Sequence, residues 1–272
     1  MAGPDPKAGY DLDADLALLV SAAREAGEAA MGYFRQSPET WWKNGGRSPV
    51  TAGDYAANDV LIRRLREARP EYGWISEETE DDGGRTSFET LFVVDPIDGT
   101  RAFMNGMDTW CVSAAVVQNR RPVAGVLVAP ALGEVFTARL DGPALLNGAP
   151  IVVARPDAGR MLTVASPADA FHRLTQARNG LYSKAAHIPS LAYRLAMIAA
   201  GRLDATLVHP NSHDWDLAAA ELILERAGGA LRKLEGGAIA YNGKSMVHGG
   251  LGAAHSDHVD DLLKAASGVF SH

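Results

Sequence analysis

Apolar residues recur every three to four positions over two stretches near the start of the chain. Between Asp13 and Phe34 they fall on one stripe, and this spacing predicts an amphipathic helix. A second helix is predicted from about Ala52 to Ala68, because Pro70 disfavours helical backbone at the residue before it. Each helix has one apolar face, so each needs a sheet or another helix to cover it.

Short runs of apolar and β-branched residues predict strands after the second helix. We expect them at residues 73–76, 91–94, 111–117, 123–129 and 134–138, and again around 161–165 and 205–208. Leu146-Asn147-Gly148 predicts a hairpin turn, because Asn-Gly favours the backbone of a two-residue loop. Two later helices are predicted at about 191–200 and 216–227, the second stopped by Gly228-Gly229. The chain therefore mixes helices and strands, without an internal repeat.

Composition indicates a compact globular protein and argues against several other classes. The chain has 272 residues, 47% of them hydrophobic, which suffices for a sizeable core or two joined subdomains. Its formal net charge of -7 and the lack of a basic cluster argue against a dedicated nucleic-acid surface. Cys111 is the single cysteine, so we expect a reducing compartment. No apolar run approaches the ~20 residues that span a bilayer, and residues 1–9 lack a signal-peptide pattern, so a cytoplasmic protein without membrane contact is expected.

The hexapeptide Asp95-Pro96-Ile97-Asp98-Gly99-Thr100 follows the apolar run Leu91–Val94. The run predicts a buried strand ending at its carboxyl edge, where open α/β sheets bind ligands. Gly99 and Thr100 begin a predicted helical turn whose free N–H groups can bind an anion. Carboxylates beside an anion site favour a cation between them, so the motif predicts a divalent metal held against a phosphate. The same residues also fit an ordinary turn in which Asp98 caps the next segment.

Further acidic residues lie at the ends of other predicted elements. Glu77-Glu78 follows the strand at 73–76, and Asp216 is expected as the first residue of its helix. Taken separately, Asp216 fits a helix N-cap and Glu77-Glu78 fits a solvated turn. Together with Asp95 and Asp98, however, they make up a set of hard oxygen ligands from several chain segments. Mg²⁺ prefers such a set, because it binds through a few carboxylates together with substrate phosphate and water.

The order of Asp54, Glu77-Glu78, the hexapeptide at 95–100 and Trp215-Asp216 resembles the inositol monophosphatase superfamily. These are lithium-sensitive, Mg²⁺-dependent phosphomonoesterases. The resemblance covers most of the chain, and it implies an α/β fold (an α+β sandwich) of alternating layers of helices and sheets. It also implies two units with the site in the cleft between them. Residues 1–150 would carry most metal ligands, and residues 151–272 would supply Asp216 and the substrate contacts.

The resemblance assigns metal ligands one by one. Glu77, Asp95 and the carbonyl of Ile97 would hold the metal that activates water. The metal that faces the ester oxygen would be held by Asp95, Asp98 and Asp216. The family implies two or three Mg²⁺ ions, with Mn²⁺ as a substitute, and inhibition by Li⁺.

The resemblance also assigns the residues around the reacting water. Thr100, paired with Asp54, would orient the water, and the N–H groups of Gly99 and Thr100 would bind phosphate oxygens. Asp54 ends the sequence Thr-Ala-Gly-Asp, which matches the family's Thr-x-x-Asp, although alone it also fits a charge at a helix start. Glu78 is expected to support the ligands from behind them. Lys43 is expected in solvent.

The choice of substrate depends on departures from the family pattern. Inositol monophosphatases usually carry a glutamate several residues before the Trp-Asp pair, and residues 207–214 contain none. This departure argues against myo-inositol phosphate. Ser76-Glu77-Glu78 and Gly99–Phe103 instead resemble bacterial bisphosphate nucleotidases, which hydrolyse 3′-phosphoadenosine 5′-phosphate. Inositol phosphate and histidinol phosphate stay open as alternatives.

Ser190–Arg194 resembles a substrate-binding stretch of those nucleotidases. Arg194 would meet a second phosphate and Tyr193 an adenine, with Ser190 as a further contact. Tyr193 fits a helix core and Arg194 a solvated face equally well. His209 is expected to contact the substrate rather than a metal, because an all-carboxylate ligand set favours Mg²⁺ over Zn²⁺.

A hypothesis from another class is a protein-binding regulator. Some bacterial members of the superfamily act on the transcription machinery through protein contacts, and the acidic set would then be a residual phosphatase site. Every ligand position is filled here, which favours a working enzyme on a small phosphorylated metabolite. A homodimer is also compatible, since the family contains both monomers and dimers.

Overall fold

The computed structural model describes residues 11–43, 45–46, 48–156, 159–177 and 180–267. The α-helices in this part of the chain are α1 (Leu12–Met31), α2 (Ala52–Leu61), α3 (Thr100–Met104), α4 (Ala168–Ala177), α5 (Leu191–Ala199), α6 (Asp214–Arg226) and α7 (Val259–Ala265). A π-helical segment, Ile62–Arg66, continues α2. None of the helices among these residues is both long and apolar enough to cross a membrane.

The strands fall into two large sheets and two short ribbons. Their bounds are β1 (Thr40–Lys43), β2 (Ser48–Thr51), β3 (Gly73–Ser76), β4 (Thr90–Asp98), β5 (Cys111–Gln118), β6 (Arg121–Ala129), β7 (Glu134–Arg139), β8 (Leu145–Leu146), β9 (Ala149–Pro150), β10 (Leu162–Ala165), β11 (Tyr182–Lys184), β12 (Ala205–Val208), β13 (Ser212–His213), β14 (Gly229–Lys233), β15 (Val247–His248) and β16 (Leu251–His255). The first sheet has the order β3-β4-β5-β6-β7-β8-β9, and only its β3–β4 pair is parallel. The second has the order β11-β10-β12-β16-β14, with β10 parallel to both of its neighbours. Antiparallel ribbons join β1 to β2 and β13 to β15.

The elements predicted from the sequence are present, and the differences lie at their ends. The strand expected to stop at Val94 continues as β4 to Asp98, because it keeps pairing with β5 through a shift in register between Asp95 and Asp98. Helix α6 begins at Asp214, so Asp216 is its third residue and not its first. The predicted hairpin turn is confirmed, since Asn147 and Gly148 have φ angles of 49° and 82° between β8 and β9.

Alternation along β4 shows how the layers are ordered. Leu91 and Val93 belong to the core cluster that contains α5 and α6, whereas Phe92 and Val94 belong to the cluster that contains α1 and α2. A third cluster joins the second sheet to α4 and α7. The order is therefore α1 and α2, first sheet, α5 and α6, second sheet, α4 and α7, which confirms the expected alternating layers. The central cluster includes residues from both sheets, so the predicted two units share a core and their boundary at residue 150 stays a prediction.

The contact between α6 and the first sheet is unusually close at one point. A Cβ on Gly125 of β6 would lie 3.0 Å from the Cα and 3.3 Å from the carbonyl oxygen of Ala219 on α6. Backbone thus faces backbone there, which glycine permits because it has no side chain. Leu217, Ala218 and Leu222 bury the rest of the helix face around this contact. The N-terminal end of α6 is held in place by this packing.

Glu221 on α6 is a carboxyl group with little access to water. Its Oε2 accepts a short hydrogen bond from the hydroxyl of Tyr241, which is itself fully buried. Burial raises the pKa of Glu221 from its usual 4.5 to about 7, although the Tyr241 hydrogen bond opposes the shift. The native state therefore binds this proton more tightly than the unfolded state does.

We expect the free energy of unfolding contributed by Glu221 to fall as the pH rises from about 4.5 to about 7, because the unfolded state releases the proton first. Glu221→Gln, which stays neutral and still accepts the tyrosine hydrogen bond, should therefore stabilise the protein at pH 8 by about 1–3 kcal/mol. The gain should vanish near pH 4. Denaturant unfolding at both pH values measures it, with exposed Glu89→Gln as the matched control. Equal effects of Glu221→Gln at the two pH values would contradict the shift.

Candidate active site

Three carboxylates converge where β4 ends and α6 begins. Asp95, Asp98 and Asp216 each offer one oxygen such that the three oxygens lie within 4.8 Å of one another. Asp95 and Asp98 are buried, and Asp216 is half-buried. The irregular end of β4 brings the first two to the same edge, although strict alternation would place residues three apart on opposite faces of a strand.

Each of these carboxylates is fixed by a hydrogen bond to one of its oxygens. The donors are Ile97 N for Asp95 Oδ1 (2.9 Å), Ser190 Oγ and Ala192 N (2.6 Å) for Asp98 Oδ2, and His213 N for Asp216 Oδ2 (2.7 Å). The last of these contacts is a capping box, in which the third residue of α6 closes the start of the helix. One oxygen of each group thereby orients the side chain, and the second is left to bind a ligand.

The electrostatics of this cluster favour a cation. Burial is the largest cause of a raised pKa at all three carboxylates, and repulsion from neighbouring carboxylates adds to it. The pKa values of Asp95 and Asp216 lie well above the usual value for aspartate, and the pKa of Asp98 is raised to about 6. Repulsion from Glu77 contributes to all three shifts. Several buried negative charges with oxygen donors only match what Mg²⁺ binds, and the cluster contains no cysteine or histidine that would favour Zn²⁺. The residues therefore fit the metal expected from the sequence.

Glu77 and Glu78 directly follow β3, and both of their carboxylates contact Lys43. Lys43 Nζ is 3.2 Å from Glu77 Oε1 and 2.7 Å from Glu78 Oε1. The solvated position expected for Lys43 is therefore wrong, because the β1–β2 ribbon carries it to these carboxylates. Burial raises the pKa of Glu78 to about 7 against the pull of Lys43, and its side chain is almost fully buried. Glu78 is thus more deeply buried than Glu77, and its role in supporting the ligands stays a prediction.

The expected Thr–Asp pair is formed. Thr100 Oγ1 lies 3.1 Å from Asp54 Oδ1 and 3.2 Å from the carbonyl oxygen of Ile97, so its single hydrogen can go to either. The other carboxylate oxygen, Asp54 Oδ2, accepts hydrogen bonds from the N–H (2.8 Å) and hydroxyl (2.6 Å) of Thr51. Burial raises the pKa of Asp54 to about 6. Above that pH the carboxylate accepts from Thr100 and leaves the threonine oxygen free to accept a hydrogen bond from water.

Gly99 links the cluster to Thr100 through a backbone conformation that few residues adopt. Its φ angle is 96°, and a Cβ at this position would lie 3.0 Å from the Cβ of Ser190. Both strain and lack of space therefore favour glycine. Gly99 lies between the last residue of β4 and the first residue of α3, and it is the N-cap of that helix. The first N–H groups of α3 have no partner within the helix.

Two of the expected substrate contacts make other contacts instead. Ser190 is fully buried, and it caps α5 and donates to Asp98. Tyr193 is 4% exposed, its hydroxyl donates to Glu134 Oε2 at 2.9 Å, and its ring packs against Phe136. Neither side chain presents a free surface to a substrate. Their roles are structural, because the helix face that carries them is turned into the core.

Arg194 and His209 occupy different surroundings. The Nε atom of Arg194 is fully buried and has no hydrogen-bond partner. Burial lowers the pKa of the guanidinium, and the nearby charge of Asp98 opposes this shift, so Arg194 lies close to the carboxylate cluster. His209 lies beside Asp169 of α4, with 3.4 Å between Nε2 and Oδ1, and its contact with a substrate stays a prediction.

Two sets of contacts that hold the site together are not predicted by the sequence. Asp214 is fully buried, and it binds His248 Nε2 (2.7 Å) and the N–H of Asn242 (2.8 Å). Arg85 binds Asp81 on its own loop and reaches the side-chain oxygen of Asn242 at 2.8 Å. A continuous set of contacts thus joins the loop after Glu77 to the start of α6. The adjacency of Asp214 to Trp215-Asp216 was the only local signal, since the partners are distant in sequence.

A buried carboxylate cluster beside a Thr–Asp pair, within alternating helical and sheet layers, defines the class of metal-dependent phosphomonoesterases. Residues 11–268 match the model of the inositol monophosphatase family, and the chain belongs to this family. The resemblance inferred from the sequence is thereby confirmed.

Individual relatives agree with this assignment. The chain is 31% identical over 248 residues to an inositol-1-monophosphatase from Mesorhizobium japonicum, which covers 86% of this chain and 91% of that protein. It is 32% identical over 228 residues to a Nus factor SuhB from Xylella fastidiosa, covering 80% of this chain and 82% of that protein. The solved structure of the extragenic suppressor protein suhB from Bartonella henselae superimposes with a TM-score of 0.82 at 27% identity, covering 93% and 98% of the two chains. The chain is accordingly a phosphoric monoester hydrolase of the α/β sandwich type.

Asp95→Asn is expected to lower kcat by about 10²-fold or more, because the charge that organises the cation is lost. Measuring kcat as a function of Mg²⁺ concentration tests this expectation. Exposed Asp59→Asn on α2 removes the same charge elsewhere and should keep full activity. Near-native turnover of Asp95→Asn would exclude Asp95 from the site.

Proposed function

We propose that the protein hydrolyses a small phosphomonoester by attack of water at the carboxylate cluster, with Mg²⁺ as cofactor. The convergence of Asp95, Asp98 and Asp216 beside the Thr100–Asp54 pair supports this proposal. Glu77, Asp95 and the Ile97 carbonyl would hold one ion, and Asp95, Asp98 and Asp216 a second. Bound there, Mg²⁺ or its substitute Mn²⁺ supplies the positive charge that activates water and neutralises the departing oxygen.

The chain's own residues orient the reactants. Thr100, donating to ionised Asp54, accepts a hydrogen bond from the attacking water and thereby directs a lone pair of the water oxygen at phosphorus. The N–H groups of Gly99 and Thr100, at the start of α3, bind the phosphate oxygens. Hydrolysis needs both functions, because the phosphate monoester is an anion that repels a negatively charged nucleophile.

Among substrates, a bisphosphate such as 3′-phosphoadenosine 5′-phosphate has the strongest support. Arg194 as a whole residue is half-buried, and Asp98 of the cluster acts on its charge electrostatically, so we assign its outer guanidinium nitrogens to a second phosphate of the substrate. Residues 207–214 also lack the glutamate expected for binding inositol hydroxyls. The relatives named inositol monophosphatase support the alternative of inositol phosphate, with histidinol phosphate as a further one. A turnover screen over these three phosphates with Mg²⁺ distinguishes them.

Removal of Arg194 is expected to affect only the bisphosphate. An ion-paired contact with phosphate contributes about 1.5–3 kcal/mol, so Arg194→Ala should cut kcat/KM for 3′-phosphoadenosine 5′-phosphate by roughly tenfold to a hundredfold. Turnover of inositol phosphate should change little. Arg202→Ala, just beyond the same helix and paired with Glu134, is the matched control. Equal losses on both substrates would identify Arg194 as structural, and faster turnover of inositol phosphate by the unmodified protein would rule out the nucleotidase.

Li⁺ is expected to inhibit by binding to the oxygens of Asp98 and Asp216 in the product complex. Inhibition should then be uncompetitive towards substrate and should be relieved by high Mg²⁺. Steady-state kinetics at several Li⁺ and Mg²⁺ concentrations measure both effects. Full activity in millimolar Li⁺ would contradict the role proposed for these two carboxylates.

A second candidate function is a protein-binding regulator of transcription in the cytoplasm, either as a monomer or as a homodimer. The relatives at 32–33% identity named Nus factor SuhB support it. The two candidates make different demands on the site, because a binding function does not need Asp95. The test is complementation of a strain that lacks the protein and shows a growth or transcription defect. Rescue of that defect by Asp95→Asn protein would favour the regulator, and failure to rescue it would favour the enzyme.

A further inference from the structure

Two exposed aromatic rings, one on β1 and one on α2, contact each other and have no role in the chemistry described above. Trp41 on β1 is 41% exposed, and Tyr55 on α2 is 41% exposed. Their ring centroids are 5.5 Å apart, with an edge-to-face arrangement. In this arrangement the edge of one ring contacts one face of the other ring, and the remaining ring faces take no part in the contact.

The position of this pair is fixed by its neighbours in the chain. Trp41 and Lys43 lie two residues apart on β1, so both side chains project from the same face of the ribbon. Lys43 reaches Glu77 and Glu78, and that face is therefore directed to the active site. Tyr55 directly follows Asp54 of the Thr100–Asp54 pair. The two rings are thus carried by the chain segments that also carry Lys43 and Asp54, and Trp41 lies one two-residue strand repeat (~7 Å) from Lys43 along β1.

We propose that Trp41 and Tyr55 form a subsite for a planar aromatic ring, a purine-sized base, carried by the phosphorylated substrate. The inference rests on the proposed phosphatase function and specifies the substrate class as nucleotides. A base stacks on an aromatic side chain whatever its identity, whereas a polyol has no flat face to offer. The anionic end of the nucleotide then lies at the cluster, and its ribose spans the interval to Trp41.

The adjacent residue on the strand provides a control. Trp42 is 55% exposed, but alternation directs it to the opposite face of the ribbon, away from the Lys43 side. It has the same size and chemistry as Trp41 and a similar exposure. Replacing Trp42 therefore tests what loss of an exposed indole does without removing the subsite.

The first experiment compares kcat/KM for 3′-phosphoadenosine 5′-phosphate with that for ribose 3,5-bisphosphate, which has both phosphates and lacks the base. Trp41→Ala is expected to lower the ratio about tenfold, mainly through KM for the nucleotide. Trp41→Phe should restore most of the ratio, because it keeps a ring, and Trp42→Ala should leave it unchanged. An unchanged ratio in Trp41→Ala, or equal losses in Trp41→Ala and Trp42→Ala, would overturn the subsite.

The second experiment does not depend on turnover. Indole N–H resonances are followed by NMR while adenosine 5′-phosphate, the product of 3′-phosphate removal, is added with Mg²⁺, with Trp41→Phe protein used for assignment. A selective shift of the Trp41 resonance supports the subsite even if the protein hydrolyses no nucleotide, in which case only the proposed substrate fails. No shift, together with normal hydrolysis, overturns the subsite and leaves the phosphatase intact. If Trp41→Ala instead converts a dimer to a monomer in size-exclusion chromatography without changing the substrate ratio, the pair is a contact between copies and the proposal is wrong.

Discussion

The mutual repulsion of buried carboxylates is the constraint on which the rest of this structure depends. Asp95, Asp98 and Asp216 lie together in a region of low solvent access, with Glu77 adding to the field, and burial raises the pKa of all three aspartates. Such a cluster is costly for the folded chain unless a cation neutralises it. The same free energy that the cluster costs in folding is therefore available for binding divalent metal, which links stability to cofactor.

The surroundings hold these charges with hydrogen bonds from the backbone and from neutral side chains. Lys43 supplies positive charge at the outer rim, and Arg194 lies close to Asp98 without forming a hydrogen bond from Nε. Separate chain segments must be kept in register for this to work. The contacts from Arg85 to Asn242, and from Asn242 to Asp214, link the loop after β3 to the start of α6.

The parts that could be predicted from the sequence are those with a local pattern. Apolar periodicity located the helices and strands of the core, and the order of acidic motifs located the carboxylates that converge at the end of β4 and the start of α6. Pairs that are distant in sequence leave no such pattern, as with Ser190 and Asp98, which are 92 positions apart, or Asp214 and His248. The environment of Lys43 depended on the path of a two-stranded ribbon, and the burial of Tyr193 depended on which face of α5 meets the first sheet. Tertiary packing decides both, so neither could be inferred from residue types.

Gly125 lies far along the sheet from the chemistry, yet it sets a dimension of the catalytic centre. Because Gly125 has no side chain, the backbone of α6 packs directly on the backbone of β6 at this point. The distance between the helix and the sheet there is set by this contact. Asp216 is part of the same rigid helix, whereas Asp95 and Asp98 belong to the sheet on which that helix rests. A methyl group at Gly125 would lie 3.0 Å from the Cα of Ala219, so β6 and α6 would have to separate at that point. The spacing between Asp216 and the two carboxylates of β4 thus depends on a residue outside the carboxylate cluster.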